Sequence, residues 1–67
     1  MDTIWIKNRK YFLYDTYSTG QEAIKIAKQA KKEDKKTKYF IITTTKGIIP
    51  HKIHKLYFNN IQKLRIP

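Results

Sequence analysis

The sequence predicts an α+β fold: a two-layer domain in which an antiparallel four- to five-stranded sheet packs on one helix, in the order β-β-α-β-β with a short C-terminal strand as the fifth. Three observations lead there. Apolar and aromatic residues gather in short strand-like runs on both sides of the chain's middle, while one central stretch carries helical spacing behind capping residues. The chain has 67 residues with two Gly and two Pro, and no repeat or linker, so residues 1–67 form a single small basic domain.

Thr3 to Lys7 (TIWIK) sets Ile4 and Ile6 against Thr3, Trp5 and Lys7, the period of a half-buried strand. Asn8-Arg9 makes the turn, and Lys10 to Tyr14 (KYFLY) returns antiparallel. The period then changes. Ser18-Thr19-Gly20-Gln21-Glu22 offers two overlapping capping boxes, Ser18 with Gln21 and Thr19 with Glu22. A helix is expected from Thr19 to Lys35. Ala23, Ile26, Ala27 and Ala30 share its apolar face, and Lys25, Lys28, Lys32, Lys35 and Lys36 lie opposite. Glu22 near its start and Lys35 and Lys36 near its end suit the helix dipole.

Lys38 to Thr44 (KYFIITT) is the clearest strand, aromatic and β-branched almost throughout. Thr45-Lys46-Gly47 supplies the turn. Ile53 to Phe58 (IHKLYF) follows as an antiparallel strand, with Pro50 restricting pairing before it. Asn59-Asn60 is a further turn signal, and Gln62, Leu64 and Ile66 alternate as the short last strand.

One helix covers one face of such a sheet, yet the strands are apolar on both. The second face has two readings. In one, Trp5, Tyr14 and Phe40 form a platform on which bases stack while surrounding lysines hold phosphates. In the other, the segment Ile61 to Ile66 or a second copy of the chain covers the rings, giving a homodimer or a place in a larger ribonucleoprotein assembly.

Charge points to a polyanion. The net charge is +10, and every carboxylate side chain lies at or before Asp34. Residues 1–34 hold seven basic and five acidic side chains; the remainder holds eight basic and none acidic. A field of one sign on so small a body attracts phosphate backbones at long range. The helix lysines read as a solvated stripe, whereas Lys46, Lys52, Lys55, Lys63 and Arg65 bracket a hairpin that can lie along a groove.

Other chemistry finds little support. Without cysteine there is no disulfide and no cysteine-ligated zinc. His51 and His54 stand three apart, the wrong spacing for one face of a strand, and no carboxylate accompanies them, so neither a metal nor a cofactor is expected. The five carboxylates form no acid-base pair, and there is neither a glycine-rich phosphate loop nor a nucleophile motif, so the chain reads as a non-enzyme. No run approaches the roughly 18 apolar residues of a membrane span, and the helix offers Ala where an interfacial anchor needs Leu, Phe or Trp. The expected location is cytoplasmic, with no membrane partner.

The pattern Lys10-Tyr11-Phe12-Leu13-Tyr14, Thr19-Gly20-x-x-Ala23-x-x-x-Ala27-x-x-Ala30, Tyr39-Phe40-Ile41-Ile42 and Lys55-Leu56-Tyr57 resembles the small basic β-β-α-β-β proteins of archaea and their viruses. Its order also resembles the methanogen chromosomal protein family, monomeric DNA-bending proteins with a basic β-arm. That resemblance implies DNA contacts from Lys46, Lys52, Lys55 and Lys63. The chain's one Trp, Trp5, lies before the matched region, and the arm has none.

The function expected from these residues is non-catalytic binding of nucleic acid through phosphate contacts, with low sequence specificity and a lean to DNA over RNA. Its candidate residues are Lys46, Lys52, Lys55, Lys63, Arg65, Trp5 and Lys38. The alternatives are a peripheral ribosomal or other RNA-binding protein, or a small mobile-element protein that docks on an acidic protein surface.

Overall fold

A computed structural model describes residues 2–60. The elements are β1 (Thr3–Ile6), β2 (Arg9–Tyr17), α1 (Gly20–Glu33), β3 (Tyr39–Lys46) and β4 (His51–Phe58), the β-β-α-β-β order predicted. The strands form one antiparallel sheet in the order β1-β2-β4-β3, with α1 packed on it as a second layer. Because β4 inserts between β2 and β3, those two strands run in the same direction, and α1 is the crossover that joins them. The proposed fifth strand, and with it Lys63 and Arg65, lies outside the described residues.

The two sheet hairpins turn differently. Between β1 and β2, Lys7 (φ 49°) and Asn8 (φ 67°) both take left-handed backbone, the two-residue connection whose twist matches the flanking strands. The turn therefore falls one residue earlier than the Asn8-Arg9 expected. β2 is also longer than the KYFLY run: its pairing with β4 shifts between Leu13 and Asp15, a bulge that lets the strand continue to Tyr17 through the polar pair Asp15-Thr16. The β3–β4 turn is Gly47–Pro50 rather than Thr45–Gly47, so both of its strands gain two residues at the turn end.

Of the two capping boxes, the structure uses the second. Thr19 is the N-cap, in extended backbone, and its Oγ1 accepts a hydrogen bond from the Glu22 N–H at 3.2 Å. Asp34 closes the other end, before Lys35. Its N–H donates to the Ala30 carbonyl at 3.0 Å, and its Oδ1 accepts from the Lys36 N–H at 3.0 Å, folding the chain into a turn that competes with further helix.

The predicted helix face holds. Ala23, Ala27 and Ala30 are fully buried, and Ala27 and Ala30 join Leu56 and Phe58 in the core. Tyr14, Tyr17, Ile26, Tyr39 and Ile41 pack around them, with the Tyr14 and Phe58 rings edge to face at 5.3 Å. Alanines let the helix axis approach the strands, so the large side chains of this core come from the sheet.

Candidate nucleic-acid interface

The pairing register makes the end of the β3–β4 hairpin a free ribbon. β2 pairs with β4 only as far as Tyr17 opposite His54. Beyond that pair, among the described residues, Ile53, Lys52 and His51 pair only with Thr44, Thr45 and Lys46 of β3. The ribbon closes through Gly47, whose φ of 92° suits glycine, then Ile48, Ile49 and Pro50. Ile48 and Ile49 are fully or nearly fully exposed, at 102% and 86%.

Directly opposed residues of an antiparallel pair share a face, and faces alternate along each strand. Lys46 stands opposite His51 on one face of the ribbon, and Lys52 stands opposite Thr45 on the other. Lys55, opposite Ile42 and Thr16, shares the face of Lys46 but lies back in the sheet and is half-buried. Neither β3, β4 nor their turn contains a carboxylate side chain. The ribbon is thus basic on both faces, and a two-stranded ribbon is of a size that fits a groove walled by phosphates.

The other sequence-predicted residues do not join this group. Lys38 precedes β3 at the end remote from the turn, where its N–H donates to Asn59 Oδ1 at 2.9 Å and its carbonyl accepts from the Asn59 N–H at 3.1 Å. Trp5 is on β1, the opposite edge of the sheet from β3.

The single aromatic platform is not formed. Thr3, Phe12 and Phe58 stand in line across the strands, which places Trp5, two residues from Thr3, on the helix side. Tyr14 also lies on that side, in the core. Phe40 is aligned with Tyr57 and Leu13 on the other face, where Tyr57 and Tyr11 are only 4% and 7% exposed. The register that aligns Phe12, Phe58 and Tyr39 across β2, β4 and β3 is what puts Phe40 on the face away from Trp5 and Tyr14.

The histidines face opposite ways, as their spacing requires. His54 lies on the helix side, 2.9 Å from Thr43 Oγ1 through its Nδ1, and a Cβ at Gly20, at the helix start, would stand 3.5 Å from its ring. His51 Nδ1 lies 3.4 Å from the Ile49 carbonyl oxygen within the turn. Among the described residues no three His, Asp or Glu side chains gather as a metal site. No helix among them is long and apolar enough to cross a membrane. Lys25, Lys28, Gln29 and Lys32 line a shallow open depression on the outer side of α1.

Sequence reasoning missed Ile48 and Ile49. The available signal was an apolar pair between Gly47 and Pro50, a position where a turn keeps side chains out of any core. Comparison with protein-family models, with curated proteins and with solved structures found no match for this chain.

Proposed function

We propose that this protein binds nucleic acid without catalysis, gripping phosphate backbones through the β3–β4 ribbon with low sequence specificity and a preference for duplex DNA. The observation that carries the reading is the acid-free ribbon beyond Tyr17 and His54, basic on both faces through Lys46 and Lys52. A two-stranded ribbon fits the major groove, and lysines on its two faces reach the phosphates on either wall. Such contacts carry little base information, because lysine acts as a point charge on a repeating backbone. Lys55 adds to the field from the sheet, and a cytoplasmic chain of this charge meets nucleic acid as its most abundant polyanion.

Competition at fixed salt tests the preference. Labelled duplex DNA is displaced by unlabelled duplex, structured RNA or single strands, and the reading predicts that duplex DNA of unrelated sequence competes best. Preferential displacement by structured RNA would move the ribbon to RNA. Displacement only by an acidic protein would replace the reading with a protein-docking one.

A further inference from the structure

At the opposite end of the sheet from the ribbon turn, the β1–β2 hairpin holds a second group of exposed residues. Trp5 is 68% exposed in the middle of β1, although it lies on the same side of the sheet as the helix. The reason is lateral position. α1 packs over β4, β2 and β3, and β1 lies beyond them at the edge. Across from Trp5 in the pairing register stands Lys10, with Cβ atoms about 4.5–5.5 Å apart in such pairs. The Lys10 Nζ lies 5.5 Å from the centroid of the Phe12 ring, two residues along on the same face. Lys7 and Arg9 complete three cations in four residues around the turn, and the exposed Asp2 and Asp15 carry the nearby negative charge in the flanking sequence.

We infer that this hairpin edge binds an unpaired base, with Trp5 stacking on it and Lys10 and Lys7 holding the adjoining phosphates, while Arg9, opposite Ile6 on the other face, adds to the positive field around the turn. The inference rests on the nucleic-acid reading above and names a second contact within it. Two properties of the site select this occupant. The cations call for a flanking negative charge, and the exposed indole calls for a flat π-surface; a nucleotide supplies both in one unit. Bases inside a duplex are already stacked on one another, so the partner of Trp5 is a base at a single-stranded segment, overhang or loop. A second copy of the chain is disfavoured by the like charge of the two hairpins. An acidic peptide would satisfy the cations but leave the indole without a flat partner.

The test uses the full chain and the intrinsic fluorescence of its one Trp. Oligothymidylate is titrated in low salt beside a blunt duplex of equal length, with labelled-strand anisotropy as a second readout. Saturable quenching by the single strand, well above that by the duplex, is expected. Trp5→Thr, which keeps β-propensity on an exposed edge, should weaken single-strand binding by about five- to a hundred-fold, while Trp5→Phe retains most of it and duplex binding changes little. Circular dichroism of each variant confirms the fold. Single-strand binding with a silent Trp5, or unchanged affinity in Trp5→Thr, overturns the inference. So does equal quenching by polyglutamate, or a concentration-dependent blue shift with no ligand present, which would assign the edge to an acidic peptide or a second copy. In each of these cases salt-sensitive duplex binding leaves the ribbon reading standing. If neither duplex nor single strand binds at low salt, that reading fails as well.

Discussion

Tyr17 and His54 form the last pair between β2 and β4, and the sheet, already three strands wide beyond the reach of β1, narrows there to two. On one side of this pair the strands are locked under the helix. On the other, no other element of the described residues covers the ribbon, so its side chains contribute little to the core and are free to meet a partner. Stability and binding therefore separate along β4. Mutations from Leu56 to Phe58 should unfold the protein, and those at Lys52 should change what it binds.

The helix face gives the first prediction. Ala27 is fully buried against the core that holds Leu56 and Phe58. Ala27→Trp should cost on the order of 1–3 kcal/mol by overpacking, a large share of the stability of so small a domain. Lys28→Gln with Lys32→Gln should leave the melting temperature nearly unchanged. An unaltered melting temperature in Ala27→Trp would contradict this placement of the helix.

Thr37 is 2% exposed, and its Oγ1 is buried without a hydrogen-bond partner, while its N–H donates to the Asp34 carbonyl. Thr37→Val keeps the shape and removes the orphan hydroxyl. Urea unfolding should show it neutral or more stable by about 1 kcal/mol. A marked loss would mean that the hydroxyl has a partner in solution.

Tyr17 gives a pH dependence. Burial, then the negative charge of Asp15, the neighbouring Tyr14 and Glu22, push its hydroxyl pKa up to about 12 from the ordinary 10.0. The folded state thus holds this proton more tightly than the unfolded state. Its contribution is fully present below pH 10 and is lost as pH rises toward 12. In an absorbance titration, Tyr17 should ionise late, and Tyr17→Phe should remove that late step. The stability difference between the two proteins should drift in favour of Tyr17→Phe over the same interval.

Gly47 is left-handed, and a Cβ there would stand 3.3 Å from the Ile49 carbonyl oxygen. Gly47→Val should strain the ribbon turn by about 1–2 kcal/mol. Amide exchange should quicken at His51 and Lys52 while Leu56 stays protected. Equal acceleration throughout β4 would show that the ribbon and the sheet open together.

Much of this architecture was legible because the hydrophobic period changes twice, from strand to helix after Tyr17 and back before Tyr39. The alanine face was legible for the same reason. The bulge was not, since Asp15-Thr16 reads as loop and only pairing with Leu56 and Lys55 makes it strand. The platform of Trp5, Tyr14 and Phe40 failed for another reason: the register that sets Phe12 opposite Phe58 and Phe58 opposite Tyr39 divides the three rings between the two faces, and strand runs alone do not reveal register. The basic hairpin was visible as charge, but the division of Lys46 and Lys52 between its faces required the register.

The most direct test of the ribbon is the salt dependence of duplex binding, measured for the native chain and for Lys46→Gln with Lys52→Gln. Log affinity should fall linearly with log salt, with a slope of about −0.9 per phosphate neutralised. The double variant should flatten that slope by roughly one to two units across unrelated sequences, with its melting temperature kept. Lys28→Gln with Lys32→Gln should have a smaller effect. No binding at low salt, binding indifferent to salt, or a slope untouched by loss of both ribbon lysines would contradict the account.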